Sequence, residues 1–132
     1  MNLLLDTHTF LWFADKQQSA NLPEPTKALL IDAANELFLS PASIWEMAIK
    51  VSIGKLKLTE PVAQLVEFHL VNNSIRLLPV RLSHYAGVET LPLHHRDPFD
   101  RLLVCQSMIE KLSIVSIDAA FDQYGVHRIW VM

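Results

Sequence analysis

Glycine is scarce in this chain: three of its 132 residues. That leaves no room for a glycine-rich phosphate loop, and neither G-x-G-x-x-G nor G-x-x-x-x-G-K-[ST] occurs. One cysteine, Cys105, cannot close an internal disulfide, and no Cys–His cluster has the spacing of a zinc site. No uninterrupted apolar run is long enough to span a bilayer. Met1 to Leu5 is largely apolar, but Asp6 interrupts it and no basic segment precedes it. A cytoplasmic protein with no membrane association is therefore expected. Neither sign of charge dominates, with 11 Lys and Arg against 14 Asp and Glu and a formal net charge of −3. A DNA-coating protein usually carries a positive excess, because phosphate neutralisation supplies much of its affinity. An enzyme whose acidic site is filled by a cation need not.

What is present describes a globule. Hydrophobic residues make up 51% and charged residues 19%, which suits one folded domain over residues 1–132. Five short apolar runs read as strands: Asn2 to Leu5, Glu36 to Leu39, Ile75 to Val80, Ser113 to Ile117 and His127 to Val131. They are apolar on both faces, the pattern of a parallel sheet covered by helices. Helical segments fill the gaps, at 24 to 34, 41 to 53, 61 to 71, 82 to 88, 98 to 112 and 118 to 124. Ser40 precedes Pro41 as an N-cap, Asp97 precedes Pro98 in the same way, and Gly54 and Gly125 follow helix ends. The alternation predicts an α/β domain with a mainly parallel sheet. Irregular backbone is expected around 54 to 60 and 91 to 97.

In such a sheet ligands bind beyond the carboxyl ends of the strands. Two predicted strands end in an aspartate, Asp6 and Asp118, so parallel strands would bring both to one edge. Converging carboxylates repel unless a cation neutralises them, and oxygen ligands suit a hard ion, Mg²⁺ or Mn²⁺. Eight of the fourteen acids fit a solvated face: Asp15, Glu24, Asp32, Glu36, Glu60, Glu67, Glu89 and Glu110. Six remain, each with an ordinary alternative. Asp6 can open a turn with Thr7, and Glu46 can pair with Lys50 one helical turn on. Asp97 and Asp118 can cap helices, Asp100 can complement a helix dipole, and Asp122 can be surface charge. His94 and His95 read as loop residues at the edge of the site. Trp12, Trp45 and Trp130 read as core or interface, and Cys105 as buried and inert. The hydroxyls of Thr7, Ser43 and Ser116 can support ligating carboxylates or serve in turns and caps.

Four strings then occur in order: Leu3-Leu4-Leu5-Asp6-Thr7-His8, Ser40-Pro41-Ala42-Ser43-Ile44-Trp45-Glu46, His95-Arg96-Asp97-Pro98-Phe99-Asp100-Arg101, and Ile114-Val115-Ser116-Ile117-Asp118. Together they resemble the PIN-domain family, in its VapC-like toxin branch, over essentially the whole chain. The resemblance implies a three-layer α/β/α fold with a parallel sheet in the order 3-2-1-4-5. It implies an acidic pocket of Asp6, Glu46, Asp100 and Asp118, in which Asp6, Asp100 and Asp118 hold Mg²⁺ or Mn²⁺. Thr7, Ser43, Asp97 and Ser116 would support them. Ser116 stands where many relatives carry threonine, with the hydroxyl kept. The implied activity is hydrolysis of RNA phosphodiesters with no protein nucleophile. The implied partners are an RNA substrate, a cognate antitoxin and a second copy in a homodimer. Lys50, Arg96 and Arg101 are the candidates for holding RNA phosphates, with Lys55 and Lys57 behind them. Surface charge is the plainer account of each.

Two rivals have less support. An aspartyl phosphatase would want a second acid at position 8, which is His8. A catalytically silent PIN-like module that binds RNA or protein would be expected to lack one or more pocket acids, and all four are present.

Overall fold

The computed structural model describes residues 1–132. Its five strands are β1 (Asn2–Leu5), β2 (Glu36–Leu39), β3 (Arg76–Leu77), β4 (Ser113–Val115) and β5 (Arg128–Ile129). They form one sheet in the order β3-β2-β1-β4-β5, and every pairing is parallel. Six helices surround it: α1 (Thr7–Ala14), α2 (Glu24–Ile31), α3 (Pro41–Ser52), α4 (Val62–Asn72), α5 (Leu82–Thr90) and α6 (Pro98–Glu110). Two 3₁₀ segments, Lys16–Asn21 and Ala119–Tyr124, complete the chain. Fold class and strand order agree with the sequence expectation.

The central strand explains the pattern. Leu3, Leu4 and Leu5 are fully buried, because alternate side chains point to opposite faces and both faces are covered. Leu3 and Leu5 join the larger apolar cluster with Phe10, Leu39, Met47 and Val115. Leu4 faces the smaller one with Leu103, Val104, Ile114 and Phe121. Gly87 permits a close approach between α5 and α6: a Cβ there would stand 3.1 Å from the Cys105 sulfur. Cys105 is buried, as expected.

Several local expectations need correction. No helix was expected directly after Asp6, yet α1 starts there, followed by the 3₁₀ segment. Its residues Thr7, Thr9, Phe10 and Leu11 are all buried, so they lack the apolar–polar alternation that marks a surface helix. Strands β3, β4 and β5 are shorter than their apolar runs. The expected last helix, 118 to 124, is a 3₁₀ segment capped by Asp118. Asp15 is not on a solvated face. It is 1% exposed, accepts from the Gln17 N–H at 3.1 Å, and caps the first 3₁₀ segment. Glu110 is also engaged, 2.9 Å from the buried His84 ring. No helix is long and apolar enough to cross a membrane.

His69 ties α4 to α1. Its Nε2 bonds the Ala14 carbonyl at 3.2 Å, Nδ1 meets the Asn73 amide at 2.6 Å, and Phe10, Phe13 and Phe68 surround the ring. Burial disfavours its charge and lowers its pKa below the usual 6.5, although the Ala14 carbonyl acts in the opposite sense. The unfolded chain therefore binds this proton more readily, and the stability that neutral His69 contributes is present above pH 6.5 and lost as pH falls. Thermal melts should show the advantage of wild type over His69→Gln shrinking between pH 7.5 and pH 5. An unchanged gap would contradict the linkage.

Candidate metal centre

The pairing of β1 with β4 sets the site. Leu5 lies opposite Val115, and the Asp6 N–H continues the ladder to the Val115 carbonyl at 3.3 Å. Asp6 leaves the sheet beside Ser116 and caps α1, its Oδ1 accepting from the Thr9 N–H at 2.9 Å. Thr9 Oγ1 returns a bond to the Val115 carbonyl at 2.8 Å. Asp118 does not follow the strand directly, because β4 stops at Val115. Ser116 and Ile117 intervene, and the Asp118 N–H bonds Ser116 Oγ at 3.0 Å.

Glu46 comes from α3, which Ser40 caps by accepting from the Ala42 N–H at 3.1 Å. Its carboxylate is buried with both oxygens bonded, Oε1 to Thr7 Oγ1 at 2.7 Å and Oε2 to Lys50 Nζ at 2.7 Å. Thr7 has one hydroxyl hydrogen, and a carboxylate can only accept, so Glu46 takes it. Ser43 Oγ, 3.0 Å away, is then the donor to Thr7. Glu46 thus pairs with Lys50, its ordinary reading, and also acts electrostatically on Asp100.

The third and fourth positions come from α6 and the segment after β4. Asp97 caps α6, accepting from the Phe99 N–H at 2.8 Å, and Asp100 lies in its first turn. Ligand atoms of His95, Asp100 and Asp118 lie within 4.8 Å of one another. His95 Nε2 is 2.9 Å from Asp118 Oδ2, and Asp118 Oδ1 accepts from the Ala120 N–H at 2.9 Å. From sequence, His95 is expected only at the edge of the site. The signal available was its place two residues before the Asp97 cap; its contacts come from residues more than twenty positions downstream.

The basic candidates separate. Lys50 is bound to Glu46, and that bond raises its pKa. Arg101 is turned towards the end of α5, where it donates to the carbonyls of Val88, Leu91 and Pro92 at 3.2, 3.1 and 3.0 Å. Three N–H groups of this residue, expected beside Arg96 as a phosphate holder, are thus committed to backbone carbonyls. Arg96 is exposed. Asp122 forms a two-point ion pair with Arg128, at 3.0 and 3.1 Å, on the surface. Trp45 is 65% exposed and packs edge-on to Phe99 at 5.5 Å, on an apolar groove of about 550 Å³ between α3, α5 and α6.

The acids differ in charge preference. Burial raises the pKa of Asp6 above the usual carboxylate range, against the opposing effects of Ser116 and Thr9. Burial also works against Asp118, but the Ala120 N–H, His95 and Arg128 outweigh it and hold that carboxyl low. For Asp100, burial and then Asp97, Asp6, Glu46 and Asp118 outweigh the attraction of Lys50 and push it up to about 8. A pocket of this kind fits a divalent cation, which supplies the positive charge that the protein does not.

The PIN-domain model matches residues 3–126. The chain belongs to the PIN-domain family. No curated protein sequence matches it significantly. Among solved structures, it resembles VapBC2 from Rickettsia felis bound to a DNA fragment from its promoter. There the identity is 13%, the TM-score 0.71, and 98% of each chain is covered. DNA-bound VapBC from Salmonella typhimurium is 14% identical, with a TM-score of 0.69 over 98% of this chain and 97% of that one. FitAcB from Neisseria gonorrhoeae is 16% identical, with a TM-score of 0.66 over 97% and 96%. At these identities the likeness is one of fold.

The charge pattern of this PIN domain predicts a stability effect in the metal-free protein. Asp100 holds its proton more tightly folded than unfolded, so it lowers stability progressively as pH rises from about 4 to about 8. Asp100→Asn should therefore melt at a higher temperature than wild type in chelator, by a few degrees on the order expected for 1–2 kcal/mol. The gap should widen between pH 5 and pH 8. A variant less stable than wild type at pH 8 would contradict this electrostatic account.

Proposed function

We propose that the chain is a metal-dependent endoribonuclease, and the toxin of a toxin–antitoxin pair. The observation that carries the reading is the convergence of Asp6, Glu46, Asp97, Asp100 and Asp118 on one sheet edge, with Asp100 destabilised by the rest. A protein retains such a cost where the charge has a use, and perturbed carboxyls in a cluster are candidates for function. In this reading Asp6, Asp100 and Asp118 hold Mg²⁺ or Mn²⁺. Such an ion lowers the pKa of water and offsets charge on phosphoryl and leaving oxygens. Thr7 and Lys50 orient Glu46 towards the pocket, while Ser43 supports Thr7. Asp97 and Ser116 set the backbone at the starts of α6 and of the 3₁₀ segment.

Of the three basic residues singled out by sequence, Arg96 fits phosphate binding best, because Lys50 and Arg101 are engaged within the protein. Both protein partners implied by the family, an antitoxin and a second copy, would find apolar surface beside the acids in the groove at Trp45 and Phe99. Apolar surface of this kind commonly marks protein contacts.

Incubation with a mixed RNA pool and Mg²⁺ or Mn²⁺ should give metal-dependent cleavage. Asp6→Asn should reduce it by more than about 100-fold, since even outer contacts to a metal site typically contribute 10–100-fold. Equal cleavage by both proteins would remove Asp6 from the site, and absence of cleavage in wild type would favour the silent module. A DNA pool run in parallel tests the preference for RNA. Arg96→Ala should weaken RNA binding and reduce the slope of log K against log salt by about 0.7, the contribution of one single-strand phosphate contact. An unchanged slope would return Arg96 to ordinary surface charge.

A further inference from the structure

His95 lies close enough to Asp100 and Asp118 to be a third ligand in its own right. Its surroundings assign it another task. The Tyr124 hydroxyl receives the backbone N–H of His95 at 2.8 Å and that of His94 at 3.2 Å. A phenol oxygen has two lone pairs and one hydrogen. With both lone pairs taken, the hydrogen is left for the third contact, His95 Nδ1 at 3.2 Å. Nδ1 is therefore an acceptor, and the ring proton sits on Nε2. That proton points at Asp118 Oδ2, 2.9 Å away.

A ring nitrogen that carries a hydrogen has no lone pair to give a metal. We infer that His95, held in one tautomer by the Tyr124 hydroxyl, is a positioning residue that fixes the Asp118 carboxylate for a divalent ion without ligating it. The inference rests on the metal-dependent reading above. Asp118 is then gripped at both oxygens, by His95 at Oδ2 and by the Ala120 N–H at Oδ1. Each oxygen keeps acceptor capacity for a cation.

The ring itself has little freedom. His95 is 9% exposed, stacks on Tyr124 with 5.5 Å between centroids and 7° between planes, and meets Phe121 at 4.7 Å. Asp118 opens the 3₁₀ segment and Tyr124 closes it, so the two ends of one short element hold the imidazole between them. Through His95 the loop before α6 is fastened to the segment after β4. Asp100, five residues further on, is thereby placed relative to Asp118. Outer contacts of this kind orient ligands and are worth about 10–100-fold in metal affinity.

The test is Mn²⁺ binding to the full chain without RNA, by calorimetry, with a thermal melt of each variant. Tyr124→Phe keeps the stacked ring but removes the hydroxyl that sets the tautomer. It should weaken Mn²⁺ binding about tenfold, and His95→Ala should weaken it at least as much. The double variant should be no worse than His95→Ala alone, because Tyr124 acts through His95. His95→Gln, which keeps an N–H donor, should recover part of the affinity and guards against a folding defect in the alanine variant. If Tyr124→Phe binds Mn²⁺ as well as wild type or better while His95→Ala loses binding, His95 is a direct ligand and the inference is wrong. If neither change affects binding, the contact is structural only, and the inference is equally wrong. Failure of wild type to bind Mn²⁺ would instead overturn the metal-site reading, and this inference with it.

Discussion

Crowding of carboxylates at the carboxyl edge of β1 and β4 is the constraint on which the site depends. Parallel pairing of these two strands brings Asp6 out beside Ser116 and directs Asp118 to the same edge. Helices α3 and α6 then add Glu46, Asp97 and Asp100. The protein offsets this negative charge unevenly. Glu46 has Lys50 and Thr7, and Asp118 has Ala120 and His95. Asp6 has the Thr9 N–H but is so deeply buried that its pKa still rises. Asp100 has no bonded cation, and burial and repulsion outweigh the attraction of Lys50. The uncompensated repulsion is thus concentrated at the position surrounded by the other acids, where it favours the protonated form.

Three of these acids, Asp6, Asp97 and Asp118, are also N-caps. In each case Oδ1 accepts a backbone N–H at the start of the following element. Capping fixes the direction of the carboxylate and satisfies donors that the first turn leaves unpaired. For α1 and α6 it also places negative charge at the favourable end of a helix dipole. Capping leaves each carboxylate with acceptor capacity to spare, even in Asp118, whose Oδ2 meets His95. Structural and chemical readings of these residues, which compete when the sequence is read position by position, are therefore compatible in space.

That compatibility explains what was legible beforehand. The parallel sheet could be read from runs such as Leu3-Leu4-Leu5, since burial on both faces leaves no alternation. Asp6 and Asp118 could be read as edge acids because topology alone sends strand ends to one side. The family resemblance assigned the four-acid set and the strand order. Helix α1 was missed because its buried threonines disguise its inward face. Asp15 was misplaced because its bonds to Gln17 and Gln18 are local but its burial beside Thr59, 44 residues on, leaves no local trace. The bonds of Arg101 were hidden for a related reason. It stands next to Asp100 in sequence, but its helical position sends the guanidinium back to the carbonyl end of α5. His95 depends on Tyr124, 29 residues away, and no spacing rule connects the two.

The allocation of positive charge around the pocket gives the same result from the other side. Lys50 is bonded to Glu46, and Arg128 bonds Asp122 and the Ser116 carbonyl. Arg101 caps α5, and His95 donates its Nε2–H to Asp118 in the tautomer that Tyr124 imposes. Each group has a partner other than Asp100. A lysine salt-bridged to Asp100 would lower its pKa and stabilise the fold, but would occupy the oxygens that a hard cation needs. Without such a lysine, the fold carries the cost of Asp100 and leaves the position open to a divalent ion. Marginal stability limits how many costs of this kind a domain can carry, which is consistent with the other acids being bonded or capped and only Asp100 left exposed to the full negative field.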